Sequence, residues 1–290
     1  MPDARGDGVG PLRAIPPRAA APGAPDSAAP DAAVLTAFGV GGIEPVRLAG
    51  GRGVTWRAGP VVLRPHDGAA VTDWRATVLD ALEDMPAFRR PRPVRTSTGA
   101  WRAGEWEAWA WVPGRTDPSR VEAVLDAGRA FHHAIARLGR PAFLEDPSEL
   151  LDDAWSRADR MAWGEEPLPS DPTLDRLARA FRPVAAPSQL VHGDLLGNVL
   201  FTDGAPPTII DWPPYWRPAG TGEAVAVVDA VCWQGVPTSA LVPLGRGTPD
   251  WPQLLVRALA FRIATLHVLG AWDDLAVARH AAVVEAVAPV

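Results

Sequence analysis

Three side chains in the second half of the chain have the types and spacing for chemistry on a phosphate: Asp194, Asn198 and Asp211. They sit in Leu190-Val191-His192-Gly193-Asp194-Leu195-Leu196-Gly197-Asn198-Val199-Leu200-Phe201 and the following Thr208-Ile209-Ile210-Asp211-Trp212. The apolar runs flank Asp203-Gly204-Ala205-Pro206-Pro207, which reads as the turn of a short hairpin. The first Asp and the Asn then lie in the loop before one strand, and the second Asp ends the other. Oxygen donors on one rigid hairpin can meet around a hard cation and a hydroxyl, as phosphoryl transfer requires, because its catalysis is mostly positioning and charge neutralisation. His-Gly-Asp alone would say little. The order Asp, Asn, apolar strand, turn, apolar strand, Asp is far more restrictive.

On these residues the chain resembles the aminoglycoside phosphotransferase and choline kinase-like enzymes, relatives of protein kinases. It shares Gly-Asp-Leu-x-Gly-Asn and Tyr-Trp-Arg-Pro with a bacterial branch of that family. The resemblance implies an α+β, two-lobed kinase-like fold with a small antiparallel-sheet N-lobe and a mainly helical C-lobe. It implies that Asp194 orients or deprotonates an acceptor hydroxyl, that Asn198 and Asp211 hold Mg²⁺, and that His192 braces the loop. The co-substrate would be ATP or GTP and the acceptor a small-molecule hydroxyl. Three residues separate Asp194 from Asn198, one fewer than in the usual family pattern.

Upstream, three strands are expected at about 45–49, 54–58 and 61–64. The turn between the first two contains Gly50, Gly51 and Gly53, and glycines let backbone amides approach phosphate oxygens. In the family a loop here covers the nucleotide. The third strand there carries a phosphate-binding lysine, and Arg64 of Val-Val-Leu-Arg stands at the matching position. The chain has no lysine at all; its 28 basic residues are arginines. Arginine stays charged and clamps phosphate, but its planar fork does not reproduce an ammonium. Arg64 could replace the lysine, bind nucleotide without good turnover, or mark an inactive relative. The helix expected at 71–84 should, by resemblance, offer it an acid, and Asp73, Asp80 and Glu83 are the acids available. Short strands are expected at Val94–Thr96, Ala100–Ala103 and Trp106–Trp111. The backbone of Ala110 to Val112 would then face the adenine edge, before Pro113-Gly114 turns into the second lobe.

Helical spacing recurs at 119–138, 147–163, 173–181, 222–234, 251–270 and 272–287. Asp229 reads equally as a brace behind the catalytic loop and as a solvated helix residue. Arg217, in a segment with three prolines, reads as a loop anchor. Residues 1–29 lack hydrophobic periodicity and are expected to be a disordered Pro/Ala-rich tail. Residues 30–112 would form the nucleotide-binding lobe and 113–290 the lobe carrying the hairpin 190–212. The apolar content of 47% suffices for a core, and the net charge of −6 argues against nonspecific nucleic-acid binding. No apolar run is long enough to span a bilayer, and the N-terminus lacks a signal-peptide apolar region. The single Cys232 has no disulfide partner in the chain, which fits a cytoplasmic setting. The competing reading is a catalytically impaired kinase-fold protein that binds nucleotide or a partner.

Overall fold

Period-two alternation in the N-terminal region builds a five-stranded antiparallel sheet. Its strands are β1 (Val46–Arg47), β2 (Trp56–Ala58), β3 (Val61–Pro65), β4 (Arg102–Ala103) and β5 (Trp106–Ala110), in the order β1-β2-β3-β5-β4. The computed structural model describes residues 28–49, 53–117, 119–146 and 149–288. Most of the expected tail and the expected loop glycines Gly50 and Gly51 lie outside them. One sheet face turns Ala58, Val61, Leu63 and Ala108 against helix α1 (Ala32–Ala37) and closes a small core with Leu35, Phe38 and Val40. Asp31 caps α1 by accepting from the Val34 amide at 2.8 Å. The other face carries Arg64, directly opposite Glu107 in the β3–β5 register, and Trp109. Helix α2 (Ala69–Ala81) covers it with Val71, Thr72, Arg75, Ala76 and Leu79 buried.

The strand expected at Val94–Thr96 is reduced to a single bridge between Pro93 and Trp109. Pro91 and Pro93 have no N–H to give, so the ladder cannot propagate. The helix expected from 147 begins only at α4 (Ala154–Ala162), where the Asp153 carboxylate accepts from the Trp155 and Ser156 amides.

The remaining helices are α3 (Val121–Ile135), α5 (Pro172–Ala180), α6 (Thr221–Gln234), α7 (Trp251–Val268) and α8 (Asp274–Val287). Asp171 and Asp273 cap α5 and α8, and Pro at the first turn starts α5 and α7. Helix α6 is apolar nearly all round and runs through the main core, packed on α3, α7 and α8. Two short ribbons interrupt these helices. Strand β6 (Ser188–His192) pairs antiparallel with β9 (Pro214–Pro218), and β7 (Val199–Leu200) with β8 (Thr208–Ile209). The proline-rich stretch after Asp211 is therefore a strand, with Pro214 and Pro218 at its ends, where missing N–H groups do least harm. Arg217 is its anchor: the guanidinium bonds Asp159 of α4 at 2.6–3.1 Å and Glu165 at 2.5–3.1 Å. An antiparallel sheet in the N-terminal region and helices in the C-terminal region give the α+β, two-lobed kinase-like fold.

The first turn of α6 lies against the end of β6. A Cβ on Gly222 would fall 2.8 Å from His132 Cε1 and against the His192 carbonyl. Gly222→Ala is expected to cost about 1–3 kcal/mol through this overpacking, read as a lowered urea midpoint at unchanged slope. A wild-type midpoint would mean that α6 is free to shift.

Candidate active site

The loop between β6 and β7 is fixed from below by two histidines. His192 is fully buried at the end of β6. Its Nδ1 accepts from the Asp194 amide at 3.2 Å, and its Nε2 donates to the Ile210 carbonyl at 3.0 Å. Both bonds suit the neutral Nε2–H tautomer. Burial drives its pKa down to about 4. His132 of α3 accepts the His192 amide on Nε2 at 2.8 Å and pairs through Nδ1 with Glu223 at 2.9 Å. His132 is thus packing and anchorage, with no metal-ligand set around it among the described residues.

Above these histidines, Asp194 and Asn198 are brought together despite the shortened spacing. The Asn198 amide nitrogen donates to the Asp194 backbone oxygen at 2.7 Å and to its carboxylate at 3.1 Å. That leaves the Asn198 side-chain oxygen as the atom able to coordinate. The Ile210 amide donates to the Asn198 backbone oxygen at 2.9 Å, tying Asn198 to the residue preceding Asp211. Asp211 itself has φ +50°, the left-handed region that a short polar side chain tolerates best. Two oxygen donors, a carboxylate and an amide, suit Mg²⁺, which keeps several waters and phosphate oxygens and needs no all-protein cage. Among the described residues no group of three or more His, Cys, Asp or Glu could form such a cage.

A second charged element faces Asp194 from α7. Arg262 Nη2 donates to Asp194 at 2.6 Å and to Asp229 of α6 at 2.5 Å, while Nε bonds both Asp229 oxygens at 2.9 and 3.1 Å. Asp229 is fully buried, so it is no solvated helix residue. Burial pushes its carboxyl up, against the pull of Arg262. For Arg262, burial opposes the charge, but Asp229 and Asp194 outweigh it and raise the guanidinium further.

Arg64 points into the cleft from β3. Its Nε donates to Glu107 at 2.5 Å, Nη1 pairs with Asp211, and Asp67 lies 3.8 Å from Nη2. The acid beside Arg64 therefore comes from β5, not from α2. Asp73 of α2 instead binds Arg102 at 2.8 and 2.9 Å. Asp80 lies 3.5 Å from Arg95, and Glu83 has no ion pair among the described residues. What α2 presents is Arg75, fully buried, which bonds both Glu107 oxygens at 2.8 and 3.0 Å and the Trp212 carbonyl at 3.2 Å. Burial works against ionisation of Glu107, yet Arg75 and Arg64 hold its carboxyl below the usual range.

Arg64, Arg75, Asp194, Asn198, Asp211, Asp229 and Arg262 line one cavity of about 720 Å³ between sheet and helices, the size of a small-molecule site. Leu48, Ala49, Val54 and Thr55 form its roof. Gly53, at φ +69°, does not line it; its carbonyl is bound by Arg47 as part of the turn. Ala110 and Val112 both border the cavity. The Ala110 amide is already given to Arg92 O and the Trp111 amide to Pro60 O, each at 2.7 Å. Ala110 could meet a base edge only through its carbonyl. The Val112 amide has no backbone partner among the described residues.

The model of the phosphotransferase enzyme family matches residues 52–215, more than half of the chain, and takes in Arg64, Glu107, Asp194, Asn198 and Asp211 but not Asp229 or Arg262. The chain belongs to that family. Among solved structures, a thermostable mutant of aminoglycoside phosphotransferase APH(4)-Ia with ADP and hygromycin B is similar to it. The identity is 18%, the TM-score 0.54, and the coverage 88% of this chain and 98% of that one. The GDP and kanamycin complex of APH(2")-IIia is similar at 16% identity, with TM-score 0.51 and coverage of 87% and 96%. At such identities the likeness is one of fold. No curated protein sequence matches the chain.

In this phosphotransferase-family chain, motif reading missed Glu107, Arg75 and Arg262. For one of them a signal is present: Arg262 lies in the apolar run Ala258-Leu259-Ala260-Phe261-Arg262-Ile263-Ala264 of α7, and a buried charge needs a partner.

The Glu107 placement has a measurable consequence. Glu107→Gln leaves two guanidinium groups short of a buried counter-charge and should destabilise by about 3–5 kcal/mol. Asp73→Asn should cost under about 1 kcal/mol, because its pair with Arg102 is partly exposed. Equal unfolding midpoints for the two variants would refute this assignment. His192 carries a pH signature. Its folded pKa is depressed, so its contribution is complete above the unfolded value of about 6.5 and is lost as pH falls toward about 4. The loss should reach about 3 kcal/mol at the acid end. Melting curves of wild type and His192→Gln should converge over that window, and parallel curves would contradict it.

Proposed function

We propose that the protein is a Mg²⁺-dependent phosphotransferase that moves the terminal phosphate of ATP or GTP to a hydroxyl of a small molecule. The observation that carries this is the convergence of Asp194, Asn198 and Asp211 with Arg64 on one cavity, inside a family of phosphotransferases. Residues 30–112 would serve as the nucleotide-binding lobe and 113–290 as the lobe carrying the hairpin. The nucleotide would lie under the turn leading into β2, with its base toward the Ala110 carbonyl and the Val112 amide. Arg64 would take the phosphate contact that lysine supplies in relatives. Asn198, through its side-chain oxygen, and Asp211 would hold the cation, which neutralises charge on the phosphates when bound.

Asp194 has the central role. One of its oxygens faces Arg262 and the other Asn198, so the carboxylate is fixed before any substrate arrives. It orients the acceptor hydroxyl and takes its proton. A bond forms between the acceptor oxygen and the terminal phosphorus, and the bridging phosphorus–oxygen bond breaks to leave the diphosphate. His192 stays neutral and holds the loop without touching substrate. A cytoplasmic setting, rich in nucleoside triphosphates, suits this reading. So does Cys232, whose thiol is pushed up by burial and is unreactive.

The Arg64–Asp211 pair favours a second reading, a protein that binds nucleotide with impaired turnover, since a guanidinium already sits on the cation carboxylate. Thermal-shift titrations with ATP and GTP, each with and without Mg²⁺, separate the two when joined to turnover of Asp194→Asn. Ligand at about 100 times its dissociation constant adds roughly 2.7 kcal/mol. The phosphotransferase should show a Mg²⁺-dependent shift that Asp211→Ala loses and Asp194→Asn keeps, with transfer abolished in Asp194→Asn. Equal turnover by wild type and Asp194→Asn removes the base assignment. No shift with either nucleotide removes the nucleotide site.

A further inference from the structure

Asp194 can orient a hydroxyl only while the backbone beneath it is fixed, and the contacts that fix it come from outside its loop. On one side the ring of Tyr215, from β9, lies over Gly193, and a Cβ at that position would run into the ring. Only glycine fits between His192 and Asp194, and the loop has no room to give way there. On the other side the His192 amide donates to His132 Nε2 at 2.8 Å, and His132 Nδ1 lies 2.9 Å from Glu223 Oε1. His132 and Glu223 are both buried, and neither lines the cavity.

An imidazole nitrogen that accepts from a backbone N–H carries no proton, so the ring proton of His132 is on Nδ1 and is donated to Glu223. With the proton on Nε2 instead, two N–H groups would face each other and the His192 amide would lose its acceptor. Which nitrogen holds the proton is set by the partner of the other, and that partner is Glu223. Its position does not depend on the loop. It stands in the first turn of α6, where Thr221 Oγ1 donates to the Pro218 carbonyl at 2.7 Å and Gly222 lets the helix close on the imidazole. Glu223 Oε2 is buried without a hydrogen-bond partner among the described residues. A buried carboxylate oxygen left unanswered is destabilising, and an apolar side chain would serve packing alone at least as well.

We propose, resting on the phosphotransferase reading above, that Glu223 is a positioning residue for Asp194. It holds the His132 proton on Nδ1, so that Nε2 accepts the His192 amide and the loop keeps the Asp194 carboxylate on Arg262 and Asn198. His192, whose Nδ1 accepts and whose Nε2 donates, carries its proton on the opposite nitrogen.

The test takes the full chain without ligand, isotopically labelled at the histidine nitrogens, and reads the ring nitrogens by NMR. His132 should carry its proton on Nδ1 and His192 on Nε2. A His132 proton on Nε2 overturns the proposal whatever any variant does. Glu223→Met removes the acceptor while keeping an unbranched side chain, and Glu223→Gln keeps an oxygen there. The His132 proton should leave Nδ1 in the first and stay in the second. The Asn198 side-chain amide, which reports on Asp194 through its two hydrogen bonds, should shift in Glu223→Met alone. An unshifted amide in a folded Glu223→Met overturns the proposal even if no turnover is measurable. Hydrolysis of radiolabelled ATP with Mg²⁺, water serving as acceptor, should lose at least about tenfold in kcat in Glu223→Met at unchanged KM for ATP. Glu223→Gln should return close to the wild-type rate, and a Gln variant as slow as the Met variant refutes the tautomer argument. Failure of the nucleotide thermal shift would instead bring down the phosphotransferase reading and leave the proton positions as they are, so the two failures are distinguishable.

Discussion

A guanidinium taken out of water has to be met by negative groups on more than one side, and it cannot escape by losing its proton. This constraint organises the cleft. Arg64, Arg75 and Arg262 are all buried or nearly so, and each is shared between acids from different elements. Glu107 joins β5 to β3 and α2; Arg75 continues to the Trp212 carbonyl, just after Asp211; Arg262 joins α7 to α6 and to the Asp194 loop. The residues assigned to chemistry are thus the exposed ends of charge networks whose buried parts span both lobes.

The two networks differ in kind. Around Asp194, carboxylates outnumber the single guanidinium, and two histidines bear the loop from beneath through hydrogen bonds. Around Glu107, guanidinium groups outnumber the carboxylate until Asp211 and Asp67 are included. Around Asp194 the surplus negative charge faces the cavity, where a hydroxyl and a cation would gather, and on the sheet side Arg64 brings the positive charge that phosphates would meet.

The hairpin was legible in the sequence because its chemistry is local. Asp194, Asn198 and Asp211 fall within a short span, with turn residues between the apolar runs, and the order alone restricts the geometry. Arg64 was legible as a position, since strand spacing sets it in Val-Val-Leu-Arg. Its partner was not. Finding Glu107 requires knowing that β3 lies beside β5 in one register, a fact carried by the whole sheet. The family pattern pointed instead to α2, where Asp73 and Asp80 lean outward toward surface arginines. Asp229 could be read either way until α7 was placed, because Arg262 stands 33 residues further along the chain. The expected strand at Val94–Thr96 and the proline-rich segment after Asp211 failed for a shared reason. Proline's missing N–H decides where a ladder stops, but whether a neighbouring strand needs that N–H is a tertiary matter.

The substitution of arginine for lysine on β3 also sets what reagents can see. Acylating nucleotide analogues tag kinases by transferring an acyl group to an amine nucleophile beside the phosphates. In this cleft that place would fall to the Arg64 guanidinium, whose charge Asp211 and Glu107 reinforce, and the chain contains no lysine. Surveys that capture nucleotide-binding proteins through an acylated lysine would pass over this protein, however well it binds ATP.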